Sequence, residues 1–178
     1  SDFLDIYISS VSNFFITTNT GMETVSTHTF KKNGVIVNFL PYLNINFYKW
    51  VPFSILLPKK IKRNNRLLTF DEIFSNELCG YIDTEDYKKE NLQIINNSPL
   101  EILEATKEYL NYKKYGINFL NTKDLELQEN FWKIYNKNFS RNLKFFKYIN
   151  YYKKEFDFNK QQSSAIISPY FLRTYLNQ

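Results

Sequence analysis

Two periodicities alternate along the first forty residues. Phe3, Ile6, Tyr7 and Val11 recur at helical spacing, with Ser1 placed to cap the helix and Asp2 in its first turn, where a carboxylate favours the dipole. Ser12-Asn13 closes that helix. Phe14-Phe15-Ile16-Thr17-Thr18 is a short β-prone run with apolar side chains on both faces, the pattern of a buried parallel strand. Asn19-Thr20-Gly21 reads as a turn, and residues 22–30, which lack Gly and Pro, suit a helix. After the polar break Lys31-Lys32-Asn33-Gly34 comes a second buried-type strand, Val35 to Phe39, with Pro41 marking its end. Helix, strand, turn, helix, strand is the order of an α/β sheet with right-handed crossovers.

Residues 40–66 break the pattern. They hold Pro41, Pro52 and Pro58 among the aromatics Tyr42, Phe47, Tyr48, Trp50 and Phe53, and are expected to be a long irregular binding loop. Thr69 with Glu72 three residues on is a capping box. Leu92 to Ile95 is a third strand. Ser98-Pro99 starts a helix that Leu100, Leu103, Ala105 and Leu110 carry to about Tyr112. Another runs from Thr122 to about Phe139 through Leu125, Leu127, Phe131, Trp132 and Tyr135. Residues 140–162 receive no assignment, and Ser168-Pro169 opens a last short helix ending near Leu176. With no repeat and no linker, residues 1–178 read as a single α/β domain, a Rossmann-like parallel sheet flanked by helices with a helical C-terminal part.

Composition narrows the function. Hydrophobic residues are 43% and charged residues 23%, which excludes a disordered tail or a fibre. The lone Cys79 excludes a disulfide scaffold and a cysteine zinc site, and the lone His28 argues against histidine metal chemistry. The net charge of +5 suits nucleic acid, an anionic membrane face or a phosphorylated substrate alike. No nucleic-acid motif accompanies it, so no nucleic-acid partner is expected. No apolar run reaches the length of a membrane span, and the start lacks the basic region of a signal peptide. It also lacks an initiator Met and begins inside a helix, so the chain is expected to be a piece of a longer cytoplasmic protein.

The stretch that carries chemistry is Phe14 to Thr24. A strand runs into a small polar turn and then a helix, at the carboxyl edge of the sheet where open α/β proteins bind ligands. A helix starting there presents unpaired N–H groups and the positive end of its dipole. Thr18 and Thr20 add hydroxyls, and Gly21 removes a Cβ that would keep a phosphate from the backbone. The competing reading is a plain threonine-capped turn. Glu23 suits dipole stabilisation; beside a diphosphate it fits only by reaching a sugar hydroxyl.

Asp2 to Asp5, Asn13 to Gly21 and Val37 to Pro41 together resemble a family of bacterial glycosyltransferases from surface-polysaccharide gene clusters. The likeness continues through Trp50, Pro58-Lys59-Lys60, Arg66 to Ile73, Asn97 to Ile102 and Ile167 to Leu172, and is weaker across 111–160. The family resembles GT-B enzymes, whose two Rossmann-like halves enclose the active site. This chain looks like the C-terminal, donor-binding half. The resemblance implies that Thr18, Asn19, Thr20, Gly21, Met22, Glu23 and Thr24 face the donor diphosphate. Asn38 and Pro41 would line the pocket, and Arg66 would neutralise the leaving phosphate. It further implies a nucleotide-sugar substrate, a sugar or lipid-linked acceptor, no metal or other cofactor, and an N-terminal half of the same protein that holds the catalytic base. The chain departs from related donor turns, which often carry a histidine or paired glutamates after the glycine; here Met22, Thr24 and Val25 flank one Glu.

Two other features have competing readings. Lys59 to Arg66 is the densest basic run, either a solvated loop or a contact for the inner face of an anionic membrane. Phe145, Phe146, Tyr148, Tyr151, Tyr152, Phe156 and Phe158 interleave with lysines, either as a surface that stacks bases or sugars or, more often for such mixtures, as amphipathic packing under lysine stems, here in part against a missing partner. The main alternative function is a non-catalytic basic module for polyanions or a protein partner; a nucleotide-sugar epimerase is the alternative within enzymes.

Overall fold

The computed structural model describes residues 2–45, 51–81, 83–142 and 164–176. Four strands form a parallel sheet: β1 (Phe15–Thr18), β2 (Gly34–Phe39), β3 (Ile55–Pro58) and β7 (Ile166–Ile167), side by side in that order. Three more form an antiparallel sheet ordered β5-β4-β6, from β4 (Lys60–Arg63), β5 (Arg66–Leu67) and β6 (Leu92–Ile95). The helices are α1 (Asp2–Val11), α2 (Gly21–Thr24), α3 (Phe70–Ser75), α4 (Thr84–Lys89), α5 (Pro99–Tyr115), α6 (Thr122–Asn142) and α7 (Pro169–Leu176). The α/β class with a helix-flanked parallel sheet is as the sequence implies. Strand order in the parallel sheet follows chain order with no reversal, as in one half of a doubly wound sheet.

The parallel sheet is centred on β2, where Val35, Ile36, Val37 and Phe39 are all buried, as a strand covered on both faces requires. β1 departs from expectation. It is an edge strand, with Ile16 and Thr18 exposed and Phe15 and Thr17 half-buried. Gly34 lets β1 approach: a Cβ there would fall on the carbonyl oxygen of Phe15, its partner across the pair.

The region 40–66 is not one irregular loop. Ile55-Leu56-Leu57 is the third parallel strand, fully buried, and Lys59 alone separates it from β4. The basic run is a hairpin. Asn64 and Asn65 both take positive φ (51° and 62°), the two-residue turn that matches strand twist. Leu92 to Ile95 is a strand as expected, but it pairs antiparallel with β4 instead of joining the parallel sheet.

Both capping boxes form: Thr69 with Glu72 starts α3, and Ser98 with Glu101 starts α5. The inner face of α5 is built from Ala105, Tyr109 and Tyr112, whereas Leu100, Leu103 and Leu110 turn outward. Among the described residues, aromatic side chains fill much of the core. Phe70 and Phe74 pack edge-on against Phe131, and Phe70 stacks on Tyr175 at 4.6 Å between ring centroids. Such pairs add about 1 kcal/mol each beyond area burial.

The last helix is clamped by a buried polar cluster. Ser168 Oγ accepts from Phe171 N and donates to Glu108 Oε2 at 2.6 Å, and Tyr170 N donates to Glu108 Oε1 at 2.6 Å. Arg173 bridges Asp124 and Glu108. Burial pushes the Glu108 carboxyl up to about 7 against the pull of these donors. Gln128 bonds both the N–H and the carbonyl of Ile167, satisfying the outer edge of β7. Ser1, Phe47, Tyr48, Trp50 and the aromatic series 145–158 lie outside the described residues.

Candidate functional site

β1 delivers the chain to the carboxyl edge of the parallel sheet, and the turn forms there as the sequence implies. Thr20 N donates to Thr18 O at 2.8 Å, and Glu23 N to Thr20 O at 3.1 Å. Gly21 starts a nine-residue helix whose first turn is α (Gly21–Thr24) and whose remainder is a π segment (Val25–Thr29). π geometry is rare, is found mostly as single turns within α-helices, and is frequent at functional sites. A helix start leaves its first N–H groups without an acceptor one turn back; Glu23 N finds Thr20 O, and the N–H groups of Gly21 and Met22 precede it. Thr18, Thr20, Gly21 and Thr24 are exposed there.

The two glycines on either side of β1 have different reasons. Gly34 is dictated by strand packing. At Gly21 a Cβ would meet nothing within 4 Å, and the residue is absent from the positive-φ positions. Neither packing nor backbone conformation asks for glycine at that exposed first helical position, where it is less favourable than alanine by up to about 1 kcal/mol.

Asn19 and Asn38 tie the loops together. Asn19 Nδ2 donates to Leu40 O at 2.8 Å, holding the turn after β1 against the loop after β2. Asn38 sits at φ 53°, beside the register irregularity between Ile36 and Phe39. Its N–H donates to Asn97 Oδ1 at 2.6 Å, and its Oδ1 accepts from Asn97 N at 2.8 Å. Asn97 Nδ2 donates to Pro58 O at 2.8 Å. Asn38 and Asn97 therefore lock the ends of β2 and β3 to the start of α5. This role accounts for Asn38 without a ligand. Asn97 was legible only as part of the resemblance; its own signal is its place just before a Ser-Pro helix start.

Glu23 turns inward. It is buried at 4% exposure, and its Oε1 accepts from Thr27 Oγ1 at 3.0 Å. It does not reach out toward a sugar hydroxyl in this conformation. Met22 follows Gly21 in the first helical turn.

Arg66 is placed apart from the turn. It lies in β5, and its guanidinium grips Glu72 with two bonds, Nη1 to Oε2 at 2.9 Å and Nη2 to Oε1 at 2.5 Å. It also donates to Leu67 O. The Arg66 fork, helped by the Thr69 N–H, holds the Glu72 carboxyl down to about 2. Arg66 lines a cavity of about 530 Å³ with Lys62, Asn65, Thr69 and Tyr175. Two other cations of the run are also engaged: Lys60 pairs with Glu101 at 2.9 Å and Arg63 with Glu90 at 3.1 Å. Three of its five basic residues thus carry an acidic partner, which reduces the field it offers a membrane.

The structure brings together the 18–24 turn and the 38–41 loop, and leaves Arg66 outside that group. Among the described residues no cluster of three or more His, Cys, Asp or Glu is placed to hold a metal ion. Among them also no helix is long and apolar enough to cross a membrane. Burial pushes the Cys79 thiol up to about 12, which is the state of a structural cysteine. Set beside known protein families, curated proteins and solved structures, the chain matches none of them.

Proposed function

We propose that this chain is the donor-binding half of a GT-B-like glycosyltransferase. It would transfer a sugar from a nucleoside-diphosphate sugar to a surface-polysaccharide or lipid-linked acceptor, at the cytoplasmic face of the membrane. The observation that carries this reading is Gly21: an exposed glycine, in open space, at the first position of a helix fed by a parallel strand. The fold gives no reason for glycine there, and a phosphate drawn to the helix N–H groups does.

On this reading the donor diphosphate lies over the N–H groups of Gly21 and Met22, and the hydroxyls of Thr18, Thr20 and Thr24 bond its oxygens. Asn19 and Asn38 hold the two loops in register and touch no substrate. Glu23 supports the helix from within. The leaving group is a nucleoside diphosphate anion, so preorganised donors aimed at its developing charge lower the barrier. The acceptor and the catalytic base belong to an N-terminal half that faces the same edge of the sheet.

The test is an amide NMR titration with UDP, GDP and CMP, repeated on Gly21→Val. Saturable shifts centred on residues 18–24 that vanish in Gly21→Val, with the remaining spectrum unchanged, support the reading. Equal affinity in Gly21→Val refutes the assignment of this turn.

A further inference from the structure

The β4–β5 hairpin, the start of α3 and the end of α7 border the cavity of about 530 Å³ that Arg66 lines. Its volume falls within the roughly 300–1,000 Å³ of small-molecule sites, and it shares no residue with the Gly21 turn. Leu68 and Tyr175, at 1% and 6% exposure, form its floor. Leu67 and Leu176 continue the apolar lining. Lys62 is half-buried beside them, and Asn65 and Arg66 stand exposed at the mouth. An apolar bed with a few polar groups at one side is the usual build of a site for a small organic molecule.

Hydrogen bonding around the cavity selects the charge of its occupant. The nearby carbonyls and the one neighbouring carboxylate are already taken. Leu67 O accepts from Arg66 Nη1, and Leu68 O accepts from the Tyr175 hydroxyl. Glu72 Oε2 accepts from Arg66 Nη1, Thr69 N and Thr69 Oγ1, and its Oε1 accepts from Arg66 Nη2. The donors are not used up. Arg66 spends three of the five N–H groups of a guanidinium and keeps two. Among the described residues the Lys62 ammonium has no acceptor. Glu72 cancels the charge of Arg66, so Lys62 is left as the uncompensated charge. A cation would find no free carboxylate here. A wholly apolar molecule would press against the ammonium without pairing it, which costs desolvation. An anion pairs with it over an apolar floor, where a charge contact is stronger than in water.

We propose that this cavity binds an amphiphilic organic anion, a carboxylate or phosphate monoester carried on an apolar body. The head lies against the Lys62 ammonium and the spare N–H groups of Arg66, and the body lies on Leu68, Tyr175 and Leu176. Such a ligand bridges the hairpin and the last helix, so it stabilises the folded chain by mass action. The proposal does not rest on the donor reading of the Gly21 turn, and either can fail without the other.

The test is an amide NMR titration of the 178-residue chain with octyl phosphate and with octanoate, set against inorganic phosphate and octanol. At ordinary ligand efficiency a molecule of this size binds with a Kd of about 1 mM. Saturable shifts centred on residues 62–69 and 175–176 are expected with at least one of the two amphiphilic anions, and the tighter of them names the head group. Inorganic phosphate and octanol are each expected to bind at least about tenfold more weakly. Lys62→Glu is expected to weaken binding at least about tenfold and Lys62→Arg to keep it. Leu176→Asp, at a position 40% exposed, is expected to abolish binding with the remaining spectrum unchanged, and it decides alone if Lys62→Glu fails to fold. The proposal is overturned by no saturation up to about 10 mM, or by shifts centred on other residues. It is also overturned by octanol binding as tightly as the anions, or by folded Lys62→Glu or Leu176→Asp binding as the unaltered chain does.

Discussion

Alanine at Gly34 and alanine at Gly21 should have opposite effects. At Gly34 the new Cβ falls on the Phe15 carbonyl oxygen and comes within 2.9 Å of the Phe15 carbon and nitrogen. These are backbone atoms of the paired strand, so no side-chain rotation relieves the clash and β1 must move away. Overpacking of this kind costs about 1–3 kcal/mol, and the displaced edge loses part of the Phe15–Gly34 pairing. Against this stands a gain of up to about 1 kcal/mol from a stiffer unfolded chain. The net is a loss of about 2 kcal/mol, or a fall in Tm of about 4–8 °C for a domain of this size. At Gly21 only the gain remains, because nothing lies within 4 Å. Tm should rise by about 1–4 °C. Urea and thermal unfolding followed by circular dichroism measure both. A neutral Gly34→Ala, or a Gly21→Ala as damaging as Gly34→Ala, would refute the packing argument and with it the case that Gly21 is free to serve a ligand.

The remaining predictions concern the polar ties. Asn97→Ala removes the acceptor of Asn38 N and the donor to Pro58 O, and leaves both groups without their partner; a loss of about 2–4 kcal/mol is expected in urea unfolding. Glu108 has a folded value of about 7, above its unfolded value near 4.5, so the folded state holds a proton that the unfolded state releases between those limits. Its contribution is complete below pH 4.5 and is lost as pH rises through 7, by about 3 kcal/mol. Glu108→Gln should flatten that slope in stability measured against pH. Glu72 is shifted the other way, so its contribution is present above pH 4.5 and fades toward pH 2. Glu72→Ala, which removes the capping box and an exposed ion pair, should cost about 1 kcal/mol at neutral pH and much less at pH 2.

Local signals carried the sequence reading where local physics decides the structure. Thr69-Glu72 and Ser98-Glu101 satisfy their own helix ends within four residues, so the pattern is complete in the sequence. The runs 14–18 and 35–39 are apolar enough to mark strands without periodicity. The failures are non-local. Ile55-Leu56-Leu57 is an apolar run too, but Pro52 and Pro58 flank it and proline argues against a central strand. Pro58 is tolerated because it is the last residue of β3 and Lys59 N takes up the Phe39 carbonyl. β7 has two residues, too few for any period, and exists because Gln128 and β3 complete it. Leucines 100, 103 and 110 look like the core face of α5, yet tyrosines 109 and 112 fill it, because their hydroxyls find Asn33 and Ser164 while their rings stay buried. At the candidate site the turn was legible, since its glycine and hydroxyls are contiguous. The pairing of Arg66 with Glu72 was not, since a fork between residues six apart depends on how a hairpin folds back on a helix.

β3 and β7 lie side by side but are separated by more than a hundred residues, Ile55 being paired with Ile166. A ribosome adding 5–20 residues per second takes on the order of ten seconds to cover that distance. Throughout that interval the first three strands can assemble, and one margin of their sheet, built from Ile55 and Leu56, waits uncovered. The nascent chain thus passes through a stage with a sticky flank of exposed peptide groups, an open strand edge of the kind that promotes association and calls for chaperones. Stalling translation just before residue 164 should capture that stage, and release should end it as the final strand and helix close over the flank.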